Sequence, residues 1–584
     1  MSHEEQRTAG WIRKGHTSIR KGHTSEGRKG HTFDRRPQAR SLSLLILAAA
    51  LALFAVACAT EDKDGSDRTK PSEHVSVSQP TSANANASAN IYDGSVSGYS
   101  EAREAGDGES YAKIDENPFL EAARAPLSTF SVDVDTASYS NTRRFINDGH
   151  LPPKDAVRIE ELVNYFSYDY PQPAGNVPFS VTAEVAECPW NTQHKLVHIG
   201  LQGRKISMED LPPANLVFLI DVSGSMNEPR KLPLVKSSLR MLTEQLSSRD
   251  RVAIVVYAGN SGLVLDSTPG DRKGEINSAV ERLEAGGSTN GGSGIQLAYS
   301  VAESNFIKGG TNRVILATDG DFNVGVTSED ALVRLIEEKR RGGVFLSMLG
   351  YGTGNLNDSM MEKLADKGNG NYAYIDTQAE AQKALGEQVG GTLMTIAKDV
   401  KIQVEFNPRM VAGYRLIGYE NRLLADRDFN DDRKDAGEIG AGHTVTALYE
   451  IVPAGQKIEN PGVDELKYNQ PAPGQQQSAD SGELLTVKLR YKEPDGDESK
   501  PLNVGVVDSR TSFKNASENF KFAAAVAEFG MLLRDSRYKG QSSFDGAAEL
   551  ARSSTGADLR GYRTEFVRLI ETAKGLSPRD GAGR

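Results

Sequence analysis

The sequence predicts an α/β fold: a doubly wound, mostly parallel sheet with flanking β-rich and α+β segments. Apolar runs such as LVFLI (216–220) and VAIVVY (252–257) alternate with amphipathic stretches. An uninterrupted apolar run indicates a strand buried on both faces of a parallel sheet. Between these two runs, leucine and valine recur every three or four residues from Leu232 to Leu246, which predicts a helix with one apolar face. Strands alternating with helices in this way are typical of doubly wound domains.

The same alternation continues and places the α/β domain at residues 214–396. Further strands are predicted at 314–317, 344–349 and 372–375. Further helices are predicted around 276–283, 328–341 and 378–388. The last of these helices closes the domain.

A chain of 584 residues is too long for one hydrophobic core, so several domains are expected. Alternating apolar and polar residues predict strands on both sides of the α/β domain, and an apolar helical pattern closes the chain. The segments predicted outside 214–396 are a signal peptide with a basic repeat extension (1–57), a lipid-anchored flexible linker (58–125), an N-terminal flanking α+β domain (126–210), a β-rich C-terminal domain (398–510) and a C-terminal helical segment (511–584).

The N-terminal region predicts export and membrane anchoring. The motif RKGHT occurs three times between residues 13 and 32, and is interpreted as a solvated basic stretch rather than a metal site. The uncharged run SLSLLILAAALALFAVAC (41–58) follows, and is shorter than the roughly 20 apolar residues of a membrane span. It therefore indicates a secretory signal. Its end, AVAC, resembles a bacterial lipobox, which predicts acylation of Cys58; plain secretion is the alternative.

The charge of the chain indicates which classes of partner it can bind. The chain has a net charge of −11, but residues 1–40 hold ten Lys and Arg against four Asp and Glu. The remainder is therefore acidic, at −17. Since binding phosphate requires a basic surface, nucleic acid is not expected as a partner. The predicted location is the bacterial cell envelope, with the lipid anchored in the outer membrane and the protein facing the periplasm or the cell surface.

Catalysis has no support in the sequence. The GxSxG, HExxH and P-loop motifs are absent. With Cys58 acylated, Cys188 has no disulfide partner and is predicted to be a small buried apolar residue. His198 and His443 lie in strand patterns and are predicted to be ordinary core or surface residues.

Oxygen-bearing side chains are predicted to gather in three loops at the carboxyl edge of the sheet. Asp221, Ser223 and Ser225 follow the first strand in LIDVSGSM, Thr289 lies in GGSTNGG, and Asp319 lies in ATDGDFN. Ligands bind at the carboxyl ends of strands in an open parallel sheet, because the loops converge there. Carboxylate and hydroxyl oxygens without sulfur or imidazole favour a hard cation, Mg²⁺ or alternatively Mn²⁺ or Ca²⁺. The competing interpretation is that the carboxylates only cap helices.

These motifs resemble the metal-ion-dependent adhesion site of von Willebrand factor A domains. D-x-S-x-S at 221–225, the threonine of the next loop and T-D-G at 318–320 occur in the family's order on the expected strands. The segments beginning STFSVDVDTASYS and ADRDFNDDRKDAG resemble regions that flank this domain in a family of bacterial surface lipoproteins. The resemblance implies the α/β fold over 214–396 but gives no role for the flanking regions.

The resemblance also implies roles for the five residues. Ser223, Ser225 and Thr289 would coordinate the ion directly, and Asp221 and Asp319 would do so directly or through water. The last coordination position would be filled by an acidic residue on a partner protein. The resemblance further allows the last helix, about 378–388, to shift when the site is filled.

Two other acidic motifs in the sequence resemble known sites less closely. Asp133 and Asp135 in DVDT resemble the aspartate pair of haloacid dehalogenase-type phosphoryl-transfer enzymes, but a turn entering a helix is favoured. Asp426, Asp428 and Asn430 have calcium-loop spacing without the required glycine and glutamate, so an acidic loop is favoured over a calcium site.

Two function classes compete with adhesion. In the first, the protein is a structural or assembly scaffold whose metal site is satisfied by an acid of its own chain. In the second, it is a hydrolase that uses the ion. The sequence favours an anchored adhesion protein that is not an enzyme.

Overall fold

The computed structural model describes residues 103–104, 108–207, 209–259, 261–287, 292–320, 328–388, 390–391, 394–458, 482–494 and 496–577. The predicted signal peptide, Cys58 and Thr289 lie outside the described residues.

The described strands, in chain order, are β1 Arg103–Glu104, β2 Ser110–Tyr111, β3 Leu120–Glu121, β4 Leu127–Ser131, β5 Phe179–Cys188, β6 Asn191–Gly203, β7 Ala214–Asp221, β8 Arg251–Tyr257, β9 Ser261–Pro269, β10 Thr311–Thr318, β11 Phe345–Tyr351, β12 Tyr372–Ile375, β13 Thr395–Phe406, β14 Val411–Ile417, β15 Gly437–Gly440, β16 Thr444–Pro453, β17 Glu483–Lys492 and β18 Lys500–Val507. The described α-helices are α1 Ala137–Asn147, α2 Ile159–Asn164, α3 Leu232–Gln245, α4 Lys273–Glu281, α5 Gly292–Ser304, α6 Glu329–Arg341, α7 Asp358–Lys367, α8 Gln378–Gln382, α9 Glu518–Arg534, α10 Phe544–Ser553 and α11 Tyr562–Leu576.

The central domain is the predicted doubly wound α/β unit. Its six strands lie in the order β12-β11-β10-β7-β8-β9, and all neighbours are parallel except β8 and β9. Helices α3, α4 and α8 pack on one face of the sheet, and α5, α6 and α7 pack on the other. Because both faces are covered, β7 is buried along its whole length, as its uninterrupted apolar sequence requires.

The flanking regions form a second body built from both ends of the described chain. One sheet has the order β3-β14-β16-β6-β5, and the other has the order β15-β13-β17-β18 with β4 also paired to β13. The inner faces of the two sheets share one apolar core. Each sheet therefore combines strands that precede the central domain with strands that follow it.

Helices cover the outer face of the first of these sheets. Helices α1 and α2 pack with α9, α10 and α11 in a core that also takes in Cys188 and Trp190 from the β5–β6 hairpin. This core explains the dense apolar sequence FKFAAAVAEFGMLL (520–533) within α9. No helix in the described part of the chain combines the length and the apolar character that a membrane span needs.

The structure changes the predicted domain boundaries. Residues 126–210, 398–510 and 511–584 were expected to form separate units, but their strands and helices are interleaved in shared sheets and one helical core. Residues 126–210 supply only β4, β5 and β6, and β4 and β6 pair with β13 and β16 from the other side of the central domain. The boundary at 396 also moves back, because β13 begins at Thr395.

The predicted flexible linker of 58–125 ends earlier than expected. Tyr111, Phe119 and Ala122 are buried, and β3 pairs with β14. The polar composition of the linker as a whole concealed these few apolar residues, which are enough to dock residues 108–125 onto the folded body.

Candidate metal centre

Asp221 is the residue around which the candidate site is built. It ends β7, and its side chain is inaccessible to solvent. The Ser223 amide donates to its Oδ1 at 2.9 Å. The hydroxyls of Tyr257 and Thr318, at the ends of the two neighbouring strands, donate to its Oδ2 at 3.0 and 3.2 Å. Three convergent strand ends therefore fix this carboxylate, as the parallel sheet predicts.

The two serines lie beside it on the loop that leaves β7. The Oγ atoms of Ser223 and Ser225 are 3.0 Å apart; Ser223 is buried and Ser225 is exposed. The Gly224 amide donates to the Gly287 carbonyl at 3.1 Å, which fastens this loop to the one that continues toward Thr289. Gly287 has a φ of +92°, a conformation that a residue without a side chain adopts at little cost.

Asp319 directly follows β10 and is fully buried. Its neighbour Thr318 donates to Asp221, so the two aspartates belong to one polar cluster. The Lys231 ammonium lies 3.1 Å from Asp319 Oδ2. Lys231 itself is only 3% exposed. This lysine was not predicted from the sequence.

The electrostatics of the cluster suit a cation. Burial raises the pKa of the Asp221 carboxyl above its usual value, hydrogen bonds from Ser223 oppose this rise, and the negative charge of Asp319 adds to it. A divalent ion would add positive charge that favours the ionised form of Asp221. Since the donors are carboxylates and hydroxyls, the residues fit a hard cation such as Mg²⁺. The exposed Ser225 lies where a ligand from outside could reach the ion.

Four of the five predicted ligands lie in this cluster. Asp221, Ser223 and Ser225 are joined by hydrogen bonds, and Asp319 is joined through Thr318. The role of each residue toward an ion stays a prediction, as does the whole of Thr289, which lies outside the described residues.

A second acidic cluster lies away from this site. Oxygen atoms of Asp133, Glu161 and Glu362 come within 4.8 Å of one another. Arg158 pairs with Glu161, and Arg422 bonds both Asp133 and Glu362, at 3.1 and 3.0 Å. Arginine side chains thus already form ion pairs with these carboxylates. The DVDT segment enters α1 as expected, but the sequence did not reveal this ion-pair network.

The calcium-loop residues do not converge on a common point. Asp426 accepts from the Thr129 hydroxyl at 2.9 Å, Asn430 accepts from Arg490 at 3.0 Å, and Asp428 lies 3.6 Å from the Lys434 ammonium. Each side chain has its own partner, which favours the acidic-loop interpretation.

His198 and the described cysteine are core residues, and His443 is partly buried. His198 Nε2 lies 2.8 Å from the Tyr170 hydroxyl, and burial lowers the pKa of this imidazole to about 3. Burial also lowers the pKa of His443, to about 4. Cys188 is a buried free thiol.

Comparison with known proteins identifies the family. Residues 215–388 match the von Willebrand factor type A domain, residues 105–198 match the von Willebrand factor family model, and residues 391–576 match the C-terminal region of the uncharacterized protein YfbK. Uncharacterized protein YfbK of Escherichia coli K12 is 46% identical over 476 residues, which are 80% of this chain and 81% of that protein. The chain belongs to the YfbK family.

More distant relatives match smaller parts. Human inter-alpha-trypsin inhibitor heavy chain H3 is 26% identical over 47% of this chain, but the match spans only 33% of H3. A solved von Willebrand factor type A protein from Catenulispora acidiphila is 15% identical, with a TM-score of 0.38, and the match covers 69% of this chain and 92% of that one. The type A domain indicates a role in protein–protein interaction or adhesion, and domains of this type commonly bind a divalent metal.

Proposed function

We propose that this YfbK family member captures a protein partner through a divalent cation. Asp221, Ser223, Ser225, Thr289 and Asp319 would hold the ion, and a carboxylate of the partner would complete its coordination. The proposal is carried by one observation: two buried carboxylates and two serine hydroxyls meet at the ends of adjacent parallel strands.

The chemistry of the donors explains why a partner acid would bind. Neutral serine hydroxyls donate little charge to a cation and leave it strongly electrophilic. An octahedral ion such as Mg²⁺ takes six oxygen ligands and keeps several waters, one of which a carboxylate can replace. The exposure of Ser225 supports this direction of approach.

We also propose that the protein is anchored to a membrane. An acylated Cys58 would anchor the chain in a membrane of the bacterial envelope, and the segment of about 50 residues that follows would hold the folded body away from the lipid surface. Ser-, Ala- and Asn-rich composition supports a tether in this segment.

Asp221→Ala tests the metal site. The variant should lose Mg²⁺ and Mn²⁺ binding, because it removes a charged ligand from the cluster. Calorimetric titration with each ion measures this, and circular dichroism checks the fold, since three donors lose their acceptor. Asp221→Asn keeps an acceptor without the charge and should also lose binding. Asp271→Ala, an exposed aspartate on the turn before α4, is the matched control and should bind as the native protein does.

Partner capture should follow the metal. In a pull-down from envelope extract, proteins retained by the native chain should be lost with a chelator and with Asp221→Ala but kept with Asp271→Ala. Unchanged Mg²⁺ affinity in both Asp221 variants would contradict the metal site. Metal binding without chelator-sensitive capture would favour the scaffold alternative, in which an acid of this chain completes the site.

A further inference from the structure

Lys231 places a positive charge inside the candidate metal centre. Its ammonium lies 3.1 Å from Asp319 Oδ2, with side-chain exposures of 3% for the lysine and 0% for the aspartate. The second carboxylate near it, Glu228, is 3.6 Å away and 60% exposed. The buried ammonium is therefore held mainly on an aspartate predicted to face the ion.

The surrounding chain is shaped to admit this side chain. Lys231 directly precedes α3, and its aliphatic stem crosses Gly352 after β11. A Cβ atom at Gly352 would lie 2.4 Å from Lys231 Cε and 2.5 Å from its Cγ, so any larger residue would displace the stem. Gly352 has a φ of +73°, which also favours glycine, and its carbonyl accepts from the Tyr374 hydroxyl. The stem of Lys231 thus lies in a narrow channel beside Gly352, and this position places its ammonium next to Asp319.

An ammonium at this position opposes a divalent ion in two ways. It competes for Oδ2 of Asp319, and it repels a second cation in a buried environment where screening by water is weak. A partner carboxylate brings a negative charge that offsets the lysine.

We propose that Lys231 sets the ion affinity of the centre low, so that firm retention of the ion depends on a partner's carboxylate. This inference rests on the proposed metal site. It makes Lys231 a tuning residue that acts on the ion through Asp319. A purely structural lysine, which only orients Asp319, would have the opposite effect: its removal would release the carboxylate and weaken ion binding.

Lys231→Met in the full-length chain tests the inference. Methionine keeps a long apolar stem for the channel but removes the charge. Calorimetric titration with Mn²⁺ and with Mg²⁺ alone should show at least about tenfold tighter binding than in the native protein, because a nearby like charge has been removed. Lys236→Met is the matched control on α3, where the lysine bonds the exposed Glu281 carbonyl at 2.9 Å, and it should leave the affinity unchanged.

A second variant separates the effect of the Lys231 charge from the effect of its hydrogen bond to Asp319. Lys231→Gln can still donate to Asp319 but carries no charge, so it should also bind the ions more tightly. It remains informative if the methionine variant fails to fold, which thermal unfolding would show. Native-like or weaker ion affinity in folded Lys231 variants, with the native protein binding Mn²⁺, would overturn this inference and leave the proposed function standing. Absence of ion binding in the native protein and in both variants would overturn the two together.

Discussion

Glu528 is a buried acid whose ionisation opposes folding. It lies on α9 at 5% exposure, and the Ser542 hydroxyl donates to it at 3.4 Å. Burial raises the pKa of its carboxyl to about 7, against the opposing effect of the Ser542 hydrogen bond. Since the folded state then binds more protons than the unfolded state, the free energy of unfolding falls as pH rises from about 4.5 to about 7, by up to about 3 kcal/mol.

Glu528→Gln should remove this pH dependence. Glutamine keeps the acceptor for Ser542 but cannot ionise, so the variant should be more stable than the native protein at pH 8 and about equal at pH 4.5. Urea unfolding at a series of pH values measures the difference between the two proteins. Glu549→Gln, an exposed glutamate on α10, is the control and should track the native protein throughout. A constant offset between Glu528→Gln and the native protein at every pH would contradict the prediction.

The residues of the candidate site differ in how readily they can be predicted from the sequence. Asp221, Ser223 and Ser225 stand within five positions directly after an apolar strand, so local pattern alone places them together. Asp319 requires the further rule that parallel strand ends share one edge. Lys231 has no such signal, because its burial depends on a channel beside Gly352, 121 positions further along the chain.

Buried charged groups hold helix α8, which closes the central domain, and the residue after it to the flanking body. Arg143 of α1 donates to Asp376 and Glu380 at 2.8 Å each, and it is 2% exposed. Lys383 donates to the Tyr165 carbonyl at 2.7 Å, and burial lowers the pKa of its ammonium to about 7. These contacts oppose any movement of the helix. A shift of 378–388 when an ion binds stays a prediction, and it would have to break these contacts or move the partner residues with the helix.

Arg143→Ala should loosen α8 while leaving the sheet intact. Removing one partner of a buried ion pair leaves the other charge buried and uncompensated, which lowers the free energy of unfolding by about 3–5 kcal/mol. Hydrogen exchange should therefore quicken in 376–388 but not in β7 or β10. The exposed Arg552, paired with Glu571, offers the control: Arg552→Ala should cost less than about 1 kcal/mol and leave exchange in α8 unchanged. Unaltered exchange in 376–388 of the Arg143 variant would show that other contacts hold the helix.

Elements with strong periodicity were predictable and weakly patterned ones were not. The strands that became β7, β8, β10, β11 and β12 are buried on both faces, which gives each an apolar run. Strand β9 is an edge strand of mixed exposure, with the sequence SGLVLDSTP, and was not predicted. Helix α7 was also not predicted; it is short and half of its residues are buried, including the acids Asp358 and Glu362.

The central domain is an insertion in a body made from the two flanking regions. Its entry and exit lie side by side, because Leu211 Cδ1 is 4.0 Å from the Cβ position of Gly390. The sheets of the flanking body pair β4 with β13 and β6 with β16. Sequence could not predict this pairing, since it joins strands separated by the complete α/β domain.

The apolar cores predict which parts fold alone. Among the residues that the structure describes, the two cores of the flanking body take none from 214–388, whereas each contains residues from both flanking regions. A chain in which a short Gly-Ser linker replaces 212–389 should therefore fold. The surface that it newly exposes bears Arg143 and Arg158, which can then be solvated.

Trp190 reports on this outcome. It is 1% exposed and lies before the central domain, while its Nε1 donates at 3.0 Å to Glu450, which lies after it. Both chains in this experiment lack residues 1–57, which removes Trp11 and leaves Trp190 as the single tryptophan. The shortened chain should keep buried-tryptophan fluorescence and unfold cooperatively in urea. A chain that ends at residue 390 retains Trp190 but loses Glu450, β13, β16 and α9, so its tryptophan should emit as in water. If the shortened chain also emitted as in water, the central domain would be required for the flanking body, and the separation of the cores would not govern folding.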